Sequence, residues 1–235
     1  TITLDATATV QATTTATGDN TQAGSAGVGV GVAISHAAVD TQAALGGTTN
    51  LTAPAGIQAS ATLTPGSAVT TTAVSGNGAG DVGVAGALAL NLVTGSTEAV
   101  VQNGASLNAN GATLTLTAVG TLSVSTTATS KQTPSDTSTG IGLSVALTIS
   151  DVWTRAEVEN SVTMTGVGAL SLSATTTPTV STTAEAGAAS SGVAVGGAVA
   201  LTLADATTTV RMGTGPATTL AGALTLDAAE ENGTT

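Results

Sequence analysis

Cysteine, phenylalanine and tyrosine are absent from this sequence, and tryptophan occurs once, as Trp153. Without cysteine there are no disulfides and no thiolate metal sites. With one indole and no other aromatic ring of that kind, the chain lacks the set of aromatic platforms a sugar cleft uses, and it cannot fill a wide core with a few large residues. Lysine and arginine total 3 against 14 acidic residues, a formal net charge of −11 over 235 residues. Lys131, Arg155 and Arg211 stand far apart in the sequence. Phosphate binding needs clustered cations, so nucleic acid is excluded as a partner. The acidic residues are sparse and read as solubility rather than a ligand field. No basic segment leads into an apolar core, and no apolar run of transmembrane length is free of Thr, Ser and Gly. The expectation is therefore no transmembrane insertion. With no initiator methionine, the chain reads as a section of something longer.

What is present is about 50 threonines, with Ala, Gly, Val, Ser and Leu supplying most of the remainder, at a mean hydropathy of +0.40. Such a chain must make a thin aliphatic core and repeat it. The repeat is visible. "GVGVGVAI" at 27–34 has counterparts in "GVAGALAL" at 83–90, "GIGLSVAL" at 140–147 and "GVAVGGAVAL" at 192–201, with starts about 52 to 57 residues apart. A second landmark keeps the same order: "TITLDA" at 1–6, "GIQASA" at 56–61, "TLTLTA" at 113–118 and "ALSLSA" at 169–174. These divide the chain into four tandem units, 1–56, 57–111, 112–168 and 169–223, and "LTLDA" at 224–228 opens a fifth that runs to 235. Repeats of this length mark stacked architectures.

Aligning the units brings Ile34, Leu90, Leu147 and Leu201 together, with Val32, Leu88, Val145 and Val199 two residues earlier. Period two is the signature of a β-strand. The larger residues are expected to point into a core. The alternate positions are small in every unit: Gly29, Gly31 and Ala33; Ala85, Ala87 and Ala89; Gly142, Ser144 and Ala146; Gly196, Ala198 and Ala200. Glycine weakens a strand interior, so a bare face calls for close approach of another backbone layer. The expectation is an outward face covered by another segment of the same unit or by a neighbouring molecule, which makes it a candidate assembly face. A solvated small-residue face is the alternative. The first strand of each unit reads as apolar in, with Ile2, Ile57, Leu114 and Leu170, and hydroxyl out, with Thr3, Thr115 and Ser171.

Turn signals fall at "TGDN" (17–20), "SGNGAG" (75–80), "QNG" (102–104), "TPSD" (133–136) and "GTGP" (213–216). No sustained helical period accompanies them. The fold class expected is all-β, a parallel β-solenoid (β-helix) built from four tandem repeats of about 55 residues, with two or three coils in each unit. Tandem small β-sandwiches are the runner-up, and a transmembrane barrel fits worst because it needs aromatic girdles.

The stretch "GVAGALALNLVTGSTEAVVQNGASLNANGATLTLTA" (83–118) resembles repeats in very large bacterial surface proteins, including filamentous adhesins, autotransporter passengers and haemagglutinin-like exoproteins. That resemblance covers all four units. It implies a secreted, elongated β-helical stalk that carries binding tips or builds a surface layer.

Residues that carry chemistry are few. His36, the one histidine, aligns with Leu92, Ile149 and Leu203 and is expected inside, with no nucleophile or orienting acid beside it. Gly78, Gly80 and Gly83 satisfy a G-x-G-x-x-G pattern, but a strand follows where a dinucleotide site needs a helix. Asp81 lacks the tandem glycine-aspartate context of a calcium repeat. Glu157 and Glu159 share a strand face near Arg155 and read as a solvated charged edge. Trp153 aligns with Asp40, Ser96 and Thr207 at a polar, turn-like position, as a cap over a coil or a contact residue for a neighbouring chain.

These readings point to a non-enzymatic, extracellular or cell-surface repeat protein without cofactor or metal, acting as a stalk, filament or surface-layer element. The partners expected are copies of itself or neighbouring repeats of the same parent chain, with a cell-surface or glycan receptor as a further partner. An ice-binding solenoid is the alternative. It needs a regular T-x-T ladder, which Thr1, Thr3, Thr113, Thr115 and Thr117 hint at and Asp5, Gln58 and Ser171 interrupt. A polysaccharide-acting β-helix is less favoured, because the aromatic and carboxylate cleft is missing.

Overall fold

A computed structural model of the chain describes residues 1–20, 25–77, 81–132, 138–215 and 220–234. Its regular elements are all β-strands. The first lap of the chain runs β1 (Ile2–Ala8), β2 (Gln11–Asn20), β3 (Ala26–Leu45) and β4 (Asn50–Thr52). The second runs β5 (Ile57–Leu63), β6 (Ala68–Asn77), β7 (Val82–Val101) and β8 (Ser106–Asn108). The third runs β9 (Leu114–Gln132), β10 (Thr139–Val158) and β11 (Thr163–Thr165), and the fourth β12 (Leu170–Gly187) and β13 (Val193–Met212). β14 (Leu224–Glu230) and β15 (Gly233–Thr234) begin the next lap.

Each strand pairs in parallel with its counterpart one lap later. Ile2 lies beside Ile57, Ile57 beside Leu114, Leu114 beside Leu170, and Leu170 beside Leu224. The same holds along β3, β7, β10 and β13, and along the short strands β4, β8 and β11. The molecule is a parallel β-solenoid with two long sheets and one short one. Each sequence unit makes one coil, not two or three. Strands β3, β7, β9, β10, β12 and β13 each run for 18 to 20 residues without interruption, so no corner forms inside a strand. A 20-residue parallel strand is about 65 Å long and each coil rises about 4.8 Å, so the coils are broad and shallow. Of the turn signals, "QNG" is a turn, whereas "TGDN" and "SGN" are the last residues of β2 and β6. "TPSD", Gly78, Gly80 and Pro216 lie outside the described residues. Gly83 sits in β7, with strand on its C-terminal side.

The core between the two long sheets is a wedge. At the end closed by the short sheet it holds Leu107, Leu114, Leu116, Leu170, Leu172 and Met164. The middle is filled by Val39, Val69, Val93, Val124 and Val152 with Leu63 and Leu122. Farther along the apolar residues are alanines, Ala33, Ala73, Ala87, Ala89, Ala128 and Ala146, with the buried serines Ser75, Ser130 and Ser144 beside them. At the thin edge backbone meets backbone. A Cβ on Gly29 would overlap the carbonyl oxygens of Gly76 and Gly18, one on Gly31 that of Val74, and one on Gly142 that of Gly187. The two layers converge below the usual separation of about 10 Å between packed sheets, which only glycine and alanine allow.

This wedge reverses the expected facing of the second sheet. The small residues of β3, β7 and β10 point inward and are buried against the first sheet of the same chain, among them Gly29, Gly31, Ala33, Ala85, Ala87, Ala89, Gly142, Ser144 and Ala146. They are therefore packing residues rather than an assembly face. On β13 Gly196, Ala198 and Ala200 keep the register but stay exposed at the end of the stack. The ladder Ile34, Leu90, Leu147 and Leu201 points out, with Ile34 58% exposed. His36 is likewise outside, in the row of Leu92, Ile149 and Leu203. The first sheet faces as expected, with Ile57, Leu114 and Leu170 in the core and Thr3 and Gln58 outside.

A layer of hydroxyls crosses the core between the valines and the alanines. Thr148 Oγ1 lies 2.7 Å from both Thr126 Oγ1 and Thr182 Oγ1, and Thr202 Oγ1 donates to Thr182 Oγ1 at 2.7 Å. Ser144 Oγ donates to the Glu185 carbonyl at 2.7 Å. These bonds pair buried polar atoms across the two sheets.

Candidate interaction face

Because the small residues turn inward, the aliphatic side chains of the second sheet are displayed in ranks across β3, β7, β10 and β13. Six successive rows are almost wholly apolar. They are Ala26, Val82, Thr139 and Val193; Val28, Val84, Ile141 and Val195; Val30, Gly86, Leu143 and Gly197; Val32, Leu88, Val145 and Val199; Ile34, Leu90, Leu147 and Leu201; and His36, Leu92, Ile149 and Leu203. Apart from Leu224 and Leu226 on β14, every exposed large aliphatic residue among the described residues belongs to these rows. Val30 on β3 is 59% exposed and Leu143 on β10 51%, whereas Val84, Leu90, Leu92, Ile141 and Leu147 on the inner strands are partly buried. Two-residue steps of about 6.6 Å along the strand and about 4.8 Å between strands give a flat plateau of roughly 35 by 19 Å, near 700 Å². Contiguous apolar patches beyond a few hundred Å² mark interaction sites on soluble proteins.

The plateau ends abruptly. The next four rows are Ala38, Thr94, Asp151 and Asp205; Asp40, Ser96, Trp153 and Thr207; Gln42, Glu98, Arg155 and Thr209; and Ala44, Val100, Glu157 and Arg211. Two of the chain's three cations are spent here. Arg155 Nη2 reaches Glu98 Oε2 at 3.1 Å and its Nη1 reaches Glu157 Oε2 at 3.0 Å, while Arg211 Nη2 pairs with Glu157 Oε1. Glu157 is not a solvated edge residue, since it is 1% exposed beneath the two guanidinium groups. Glu159 lies beyond the end of β10 and accepts from the Asn103 N–H at 2.9 Å. The two carboxylates therefore have different tasks.

Trp153 sits within β10 on the outer face, not at a turn, and is 38% exposed. Its Nε1 donates to Glu98 Oε1 at 3.2 Å, and Gln42 Nε2 donates to Glu98 Oε2 at 2.8 Å. Burial works against the Glu98 charge. The hydrogen bonds from Trp153, Gln42 and Arg155, with the Arg155 charge, outweigh it and hold the carboxyl below its ordinary value. The cluster ties three coils together at the polar end of the plateau.

The outer face of the first sheet has the opposite character. Thr13, Thr70, Ser125 and Ser181 form one row, and Thr15, Thr72, Thr127 and Thr183 the next. Thr7, Thr62 and Thr175 align with Val119 in a third. The T-x-T ladder thus lies mid-strand, beyond the positions that first suggested it. The signal was the set "TTT", "TTT", "STT" and "STT" at 13–15, 70–72, 125–127 and 181–183. Among the described residues no group of His, Asp and Glu is arranged to hold a metal ion. No family model, no curated protein and no solved structure matches this chain.

Proposed function

We propose that this chain is a structural section of an extracellular solenoid that assembles with copies of itself through the aliphatic plateau of its second sheet. The observation that carries the reading is the plateau: six ordered, largely aliphatic rows on the outer face of the second sheet. Two plateaus laid together cover about 1,400 Å² in total, within the range of stable specific interfaces. The resemblance to repeats of bacterial surface proteins supports an extracellular stalk or layer, and the exposed aliphatic face of the second sheet supports an element that joins chains side by side. The ionisable cluster is consumed in ion pairs within and between coils, which supports a structural rather than a catalytic role.

Sedimentation velocity tests the reading. The chain should form a concentration-dependent dimer, and Leu88→Arg with Leu147→Arg should return it to a monomer with unchanged circular dichroism. A wild-type chain that stays monomeric at tens of micromolar overturns it.

The threonine rows of the first sheet favour a second reading, ice binding. Hydroxyls and methyls repeat at about 6.6 Å along the strand and about 4.8 Å across it. Thermal hysteresis measured on the chain decides: a freezing gap that Thr72→Tyr with Thr127→Tyr abolishes supports it, and no gap at millimolar protein removes it.

A further inference from the structure

Resting on the self-association just proposed, we infer that the two copies meet face to face with their strands antiparallel and their solenoid axes parallel, so that each coil lies level with the same coil of its partner. Two two-fold arrangements bring one plateau onto another. In the first the two-fold axis runs along the solenoid, and the row order reverses across the interface. In the second it runs along the strands, and each row meets itself with the stacking order inverted.

The side chains separate the two. In the antiparallel arrangement centred on the plateau, the third row faces the fourth. Gly86 then lies opposite Leu88, and Gly197 opposite Val199, so the notches in one row receive the larger residues of the other. The second row, Val28, Val84, Ile141 and Val195, faces the fifth, in which leucine predominates. The first row faces the sixth, which sets Ala26 against His36. Small meets large at these sites, and such complementarity is what close packing requires.

Charge gives the same answer independently. The four rows beyond the plateau carry five carboxylates against two guanidinium groups. In the antiparallel arrangement they lie outside the six rows that face one another. In the strand-parallel arrangement they are buried, with Asp151 against Thr94, Asp205 against Ala38 and Asp40 against Thr207. Glu98 meets the partner's Arg155 there, but Asp151, Asp205 and Asp40 lose water and gain no cation from the partner, a cost that works against this arrangement. Level coils have a further consequence. Each added coil lengthens both plateaus together, so the interface grows in proportion to the number of repeats.

Thr94 lies in the first polar row and is exposed, and the chain has no cysteine, so Thr94→Cys takes a single nitroxide label. Sedimentation first establishes whether a dimer exists. A monomer, or a chain that instead floats with phosphatidylcholine vesicles, overturns the self-association itself. Given a dimer, pulsed electron–electron resonance should find the two labels about 45 Å apart, seven two-residue steps. A distance below about 20 Å overturns the antiparallel register while leaving self-association standing. Gly86→Leu supplies a second readout. A Cβ there meets open space within the chain, so the fold tolerates it. It fills the notch opposite Leu88 and should weaken dimerisation at least about tenfold. If the added apolar surface strengthens the dimer instead, the facing of the third and fourth rows is wrong.

Discussion

Two leucines show how much position decides. Leu172 is fully buried between the sheets, and Leu147 lies on the outer face and is only partly buried, although both alternate with small or hydroxyl residues in the sequence. Leu172→Ala should cost about 2 to 5 kcal/mol through lost transfer and a residual cavity. Leu147→Ala should cost less than about 1 kcal/mol in the dilute monomer. Urea melts of both variants check this, and equal losses would contradict the facing of the second sheet. Glu98 offers a probe with its own reporter. Its folded pKa lies below the ordinary glutamate value of 4.5, so it stabilises the fold at neutral pH. That contribution begins to fade as pH falls through about 4.5 and is gone below the depressed folded value. Trp153, the one fluorophore, donates to the same carboxylate and should report the protonation. Glu98→Gln should flatten the acid limb of both the fluorescence and the stability profile, and an unchanged limb would place its origin elsewhere.

At the level of the strand, the glycine–valine alternation of β3 answers to the wedge rather than to solubility. Ala89 and Ala146 are fully buried where the sheets have closed to alanine thickness, and an arginine at either has neither room nor a partner. The pair Ala89→Arg and Ala146→Arg should unfold the chain or lower its midpoint of thermal unfolding by more than 10 °C or so. Assembly loss with the fold intact would instead return these residues to an intermolecular face. Register was legible before the structure. The alignment of Ile34 with Leu90, Leu147 and Leu201 is the pairing observed. The facing was not. A rule that sends large apolar residues inward presumes that the other face is polar, and here it is glycine and alanine. The available signal lay on the facing strands, whose aligned Ala16, Ala73, Ala128 and Ala184 pack against the alanines of the second sheet. Strands of 20 residues are far longer than the usual 5 to 6, which is why turn residues suggested extra corners. The cluster of Glu98, Arg155, Glu157 and Arg211 was only half visible. Glu157 and Arg155 are neighbours in sequence, but Arg211 reaches them through the stacking of β13 on β10.

For the molecule as a whole, stability should accumulate coil by coil, because each coil touches chiefly the one before and the one after. The loss of residues 112–167 removes one complete lap, β9 to β11, and joins Gly111 to Gly168 in phase, since Leu114, which opens β9, pairs with Leu170, which opens β12. β5 and β6 then meet β12, and β7 meets β13. The new junctions place Val84 beside Val195 and Leu90 beside Leu201, so the plateau survives one strand narrower. The ion cluster does not. Glu98 loses Arg155 and Trp153 and faces Thr209, while Arg211 faces Val100. The shortened chain should remain a folded β-solenoid by circular dichroism, melt cooperatively at a lower temperature, and lose the acid limb that Glu98 supplies. With less plateau to cover, its dimer should be weaker than that of the full chain at equal concentration. Random-coil dichroism for the shortened chain would mean that the coils form one closed cooperative body, with no unit able to pair except with its own neighbour.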